Sequence, residues 1–120
     1  MNVLKKPKNS FGKALKTARL AQGMSQEDFS LVSSRTYVSS LERGIKEPTI
    51  GKVEQLAEAL NVHPLTLLFL SYVADEKQKS VLDLTNKVSS EILRLLKFKQ
   101  HEASNQGISK PRINQPPAPG

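Results

Sequence analysis

Apolar positions recur at helical spacing from residue 11 onward. Phe11, Leu15 and Ala18 fall at i, i+4 and i+7, and Ile50, Val53, Leu56, Ala57 and Leu60 repeat the interval with no competing strand-like alternation. Ser25 followed by Asp28 has the form of a capping box, which predicts a helix from 26 to about 32. Ser33 and Ser34 then offer side-chain oxygens for a turn or a new N-cap, and a helix over 35–43 follows. Gly44 supplies the left-handed position past its end, and Pro48-Thr49 opens the next helix with Thr49 as N-cap. Asn61 ends that helix. Pro64 takes the first position of a fifth, capped by His63 and with Leu65, Leu68 and Phe69 as its inward stripe. The fold class expected is all-α, with five short helices over 10–73.

A longer pattern follows over 75–100. Val81, Leu84, Val88, Ile92 and Leu95 are spaced by 3, 4, 4 and 3, and Leu82, Leu96 and Phe98 widen the stripe. A helix of that length is about 37 Å long, more than a small helical domain needs, so the stripe is read as a dimer interface; folding back over the fifth helix is the alternative. The two ends differ from this body. Residues 1–9 carry Lys5, Lys6 and Lys8 with little to bury and are expected to form a flexible basic arm. Residues 101–120 hold four prolines and two glycines and are expected to be disordered.

Composition narrows the function more than the fold. The 120 residues carry 18 Lys and Arg against 11 Asp and Glu, a net charge of +7, which makes nucleic acid the first polyanion to consider. The absence of cysteine removes disulfides, thiol catalysis and thiolate metal sites and suits a cytoplasmic protein. No apolar run approaches a membrane span, and the first residues lack the apolar stretch of a leader. No G-x-S-x-G elbow, P-loop or His-Asp pattern suggests an enzyme. His63 has only His101 as a possible companion, so neither a metal nor another cofactor is expected.

Two short helices over 26–32 and 35–43, almost without a loop between them and preceded by a basic helix, have helix-turn-helix form. A recognition helix must expose polar side chains on one face and bury aliphatics on the other. Val38 and Leu41 are three apart and face inward, while Arg35, Thr36, Ser39 and Ser40 lie outward. The blocks Phe11-Gly12-x-x-Leu15-x-x-x-Arg19, Met24-Ser25-Gln26-Glu27-Asp28-Phe29, Thr36 through Gly44 and Pro48-Thr49 resemble the phage Cro and repressor-like helix-turn-helix family, the XRE family, over about residues 11–70. The turn departs from the family pattern. Val32-Ser33-Ser34-Arg35 lacks the usual glycine and is about two residues shorter, so the serines must make the corner with ordinary backbone angles.

The resemblance implies a five-helix DNA-binding domain that works as a homodimeric transcription regulator, often a repressor. Carried over residue by residue, Arg35, Thr36 and Ser40 fall at base-contacting positions, with Ser39 and Tyr37 beside them; Tyr37 either packs at the domain edge or reaches a phosphate. Gln26 falls at the phosphate clamp, and Arg43, Lys46, Lys13 and Lys16 are further phosphate candidates. Arg19 and Glu42 match a structural ion pair. The implied partner is double-stranded DNA, bound at an inverted repeat by a homodimer. The alternative is an antitoxin or small adaptor whose long helix or tail binds a partner protein.

Overall fold

The computed structural model describes residues 10–75 and 77–105, with side chains as far as Gln100. The expected basic arm over 1–9 and the tail from 106 onward lie outside the described residues. Contacts divide the chain after Lys77 into two units. The first holds α1 (Phe11–Ala21), a short 3₁₀ turn (Gln26–Phe29), α2 (Arg35–Glu42), α3 (Ile50–Leu60) and α4 (Pro64–Val73); the second holds α5 (Gln78–Asn105).

Local chemistry sets the helix ends. The Ser34 Oγ accepts the Tyr37 N–H, the Thr49 Oγ1 accepts the Lys52 N–H, and His63 Nδ1 accepts the Leu65 N–H ahead of Pro64. α1, α2 and α3 all end in one way. A left-handed Gly23, Gly44 or Asn61 follows each helix, and the next residue donates to the carbonyl five residues back: Met24 to Arg19, Ile45 to Ser40 and Val62 to Ala57.

The second element differs from its expectation. In place of a helix over 26–32 the chain forms a single 3₁₀ turn, with Asp28, Ser30 and Val32 each donating to the carbonyl three residues back. The shortened corner explains it. Phe29 must reach the core while α2 starts at Arg35, and a 3₁₀ turn rises about 2.0 Å per residue against about 1.5 Å in an α-helix, so fewer residues cover the distance. Ser34 is extended, and no residue of the corner has a positive φ, as a corner made by serines requires.

α1 lies against α4 and α2, α3 against α4, and α2 against the 3₁₀ turn. Their inward faces meet in a core of Leu15, Phe29, Val38, Leu41, Leu56, Leu60 and Leu67, all fully buried. Each such side chain contributes about 1.5–3 kcal/mol by leaving water. α4 presents a different face from the expected one. Leu67 and Ser71 are buried and Leu68 and Phe69 half-buried, but Leu65 is exposed. Ile50 likewise stands exposed at the start of α3.

α5 starts three residues later than the expected 75–100 and continues five residues into the segment expected to be tail. Every residue of α5 from Thr85 to Gln100 is exposed, the apolar Val88, Ile92, Leu93, Leu95, Leu96 and Phe98 included; Leu82 is exposed as well, while Val81 and Leu84 are half-buried. Within α5, Lys79 pairs with Asp83 on the side opposite the stripe of Val88, Ile92 and Leu95, and Lys87 pairs with Glu91 along the edge of that stripe.

Candidate nucleic-acid interface

The eight residues of α2 are enclosed on most of their circumference. Val38, Leu41 and Ser40 are buried and Tyr37 is half-buried, which leaves Arg35 and Thr36 exposed, Ser39 partly so, and Arg43 just past the helix on the same stripe. Arg35, Ser39 and Arg43 are four residues apart and so lie one above another. Ser40 does not belong to this face, contrary to the sequence expectation. The chain folds back after Gly44, and the N–H groups of Ile45 and Lys46 both reach the Ser40 carbonyl, covering the residue to 7% exposure.

The end of α2 opens onto a groove of about 740 Å³ whose walls include Lys13 and Lys16 of α1 and Arg43 and Lys46 after α2. Four cations proposed from sequence as phosphate contacts thus converge on one depression, with Glu42 and Glu47 as its acidic members. Lys13 also pairs with Asp75, but both side chains are more than half exposed. An ion pair so open to water is worth little and can yield to a phosphate.

Gln26, which the resemblance places at a phosphate clamp, also makes a bond within the protein. Its Nε2 donates to Glu42 Oε1 at 3.0 Å, and the turn it begins is only four residues long. It belongs to a buried network around Glu42. Arg19 Nε donates to Glu42 Oε2 at 2.7 Å and Nη2 to Oε1 at 2.9 Å, while Nη1 donates to the Met24 carbonyl at 3.0 Å. The two side chains are 9% and 5% exposed. Burial pushes the Glu42 carboxyl up, but the bonds from Arg19 and Gln26 and the charges of Arg19 and Lys16 outweigh it, leaving the group below the usual carboxylate range. The bond to Glu42 and its charge hold the Arg19 guanidinium above its ordinary value against desolvation. This pair joins α1 to the end of α2 and so fixes the exposed face of α2 relative to the groove.

Sequence reasoning missed two positions. Lys52 of α3 donates to the Val32 carbonyl at 2.7 Å, a contact spanning 20 residues that no local pattern signals. A Cβ on Gly12 would stand 2.4 Å from the Leu41 carbonyl oxygen, so α1 meets the end of α2 backbone to backbone. The Phe11-Gly12 pair within a basic helix was the available hint.

A family model described as helix-turn-helix matches residues 15–67, which spans all the elements above from mid-α1 to α4. Control protein C.BamHI of Bacillus amyloliquefaciens is 35% identical over 72 residues, covering 58% of this chain and 89% of that protein. The chain belongs to the helix-turn-helix family. It is a DNA-binding transcription regulator of the Cro/C1 type rather than an enzyme, and α2 with its Arg35–Ser39 face lies within the matched helix-turn-helix. No solved structure gives a significant match to this helix-turn-helix chain. Among the described residues no single helix is long and apolar enough to cross a membrane.

Proposed function

We propose that this regulator is a cytoplasmic repressor that binds an inverted-repeat operator as a homodimer, reading each half-site through the major groove with Arg35, Thr36 and Ser39. The supporting observation is the exposure pattern of α2: its one solvent-facing stripe is polar and cationic, and it runs toward a groove lined by Lys13, Lys16, Arg43 and Lys46. Arg35 donates two bonds to O6 and N7 of one guanine, Thr36 offers its methyl to thymine, and the groove cations take phosphates and set register. Bound across the operator, the dimer represses by occlusion. In a randomised-site selection, Arg35→Ala is expected to lose a guanine preference worth about 1–3 kcal/mol per half-site. An unchanged preference would remove Arg35 from the readout.

The dimer is assigned to α5. At about 42 Å the helix is long enough to pair with a second copy while two recognition helices sit roughly 34 Å apart on DNA. Its Val88, Ile92 and Leu95 stripe is what a two-fold partner would cover, with Val81 and Leu84 continuing it. The double substitution Val88→Asp and Leu95→Asp is expected to sediment as a monomer and to bind operator about 100-fold more weakly, because two linked sites gain that much over one. A native chain that sediments as a monomer at high micromolar concentration, with operator binding intact, refutes the pairing. Capture of a different protein by the same stripe would instead support an antitoxin or adaptor role.

A further inference from the structure

The backbone bonds inside the corner between Phe29 and Arg35 gather at its start. The Val32 and Ser33 N–H groups both converge on the Phe29 carbonyl at 2.8 Å, and the Val32 carbonyl turns toward α3. There it meets Lys52, whose Nζ donates to it at 2.7 Å and stands 5.6 Å from the centre of the Tyr37 ring. One ammonium therefore grips the corner before α2 and the first turn of α2 together. Its base is fixed as well: Lys52 is half-buried, and its N–H is bound by Thr49 Oγ1 at 3.1 Å. Tyr37 is held in turn by packing against the core and by the bond from its N–H to Ser34 Oγ.

We infer that Lys52 is a positioning residue for base readout, locking the shortened corner and the Tyr37 ring so that Arg35 and Thr36, flanked by these two anchors, enter the groove at one angle. The inference rests on the DNA-reading role of α2. A family-length turn could define this angle with its own glycine and extra residues; a corner made from two serines has neither, and the lysine replaces them. The ammonium faces a carbonyl and an aromatic ring, both of which attract it, so its charge is spent within the protein rather than on the DNA backbone.

The test is a randomised-site selection with Lys52→Met, which keeps the aliphatic stem and removes the charge and donor, beside Lys52→Arg and Arg35→Ala. For Lys52→Met the ratio of specific to non-specific binding is expected to fall about tenfold, concentrated at the bases that Arg35→Ala also affects. Its salt slope should stay at the native value, since no phosphate contact is lost. Lys52→Arg should keep most of the preference. If Lys52→Met melts below the assay temperature, the selection is repeated below its melting temperature with native protein at the same temperature, and is read in the same way. Native preference in the folded variant overturns the inference. So does a slope shallower by about 0.9 per site with preference retained, which would make Lys52 a phosphate ligand. Should Arg35→Ala leave the preference intact, the DNA-reading role of α2 fails; if it abolishes the preference while Lys52→Met does not, only the role of Lys52 fails.

Discussion

Replacing Glu42 by alanine is expected to destabilise the first unit by about 3–5 kcal/mol, the usual consequence of removing one partner from a buried ion pair. The loss has two sources. The Arg19 guanidinium, 9% exposed, keeps only the Met24 carbonyl of its three acceptor contacts, and Gln26 loses the acceptor for its amide. A domain of this size holds roughly 3–10 kcal/mol in all, so the variant should be largely unfolded at 37 °C, as circular dichroism would show. Replacing both partners, Arg19→Met with Glu42→Leu, removes the stranded charge and should restore much of the loss. A melting temperature unchanged by Glu42→Ala would mean that water compensates the arginine and that the pair adds nothing.

The same network sets an acid limit. Because the Glu42 carboxyl lies below its ordinary value in the folded protein, the folded state favours its charged form. Its contribution is complete above the unfolded carboxylate range, near pH 4.5, and is lost as pH falls through the lower folded value. Denaturation followed from pH 7 to pH 2 should therefore steepen below about pH 4.5. Glu42→Gln, less stable at neutral pH, should lack this part of the slope.

Much of this molecule was legible because its signals are local. Thr49, His63 with Pro64, Gly44 and Asn61 each act through backbone groups within a few residues and hold the helix ends assigned to them, and of the two corner serines Ser34 is the N-cap. Where neighbouring elements decide, the chain pattern misled. Ser40 sits on the outward side by helical period, yet the returning chain at Ile45 and Lys46 covers it. Leu65 looked inward because α4 is apolar nearly all round, and such a helix gives periodicity nothing to choose between. The capping-box acid is in place, Asp28 accepting the Ser25 N–H at 2.6 Å, but a cap starts a turn without fixing its pitch. The missing corner residues fixed that pitch. Lys52 had no local signature, since its partner carbonyl is brought to it only by the packing of α3 beside the corner.

Two glycines in first helical turns should respond to alanine with opposite signs. Within a helix this exchange ordinarily stabilises by about 0.5–1 kcal/mol, because glycine loses more backbone freedom on folding. Gly51, in α3, follows that rule: a Cβ there would have Thr49 Oγ1 at 3.9 Å as its nearest neighbour. At Gly12 the added carbon would stand 2.4 Å from the Leu41 carbonyl oxygen and 2.7 Å from that of Glu42. Both obstacles are backbone, so no side chain can swing aside, and α1 must move bodily away from the end of α2. Gly12→Ala is therefore expected to cost about 3 kcal/mol in urea unfolding, at the upper end for overpacking. The displacement would also part Lys13 and Lys16 from Arg43 and Lys46 and pull on the Arg19–Glu42 bridge. Operator binding by the fraction that remains folded should then fall, with a changed salt slope. Equal and small effects at Gly12 and Gly51 would show that the two helices have room to separate, and that the groove does not depend on their close approach.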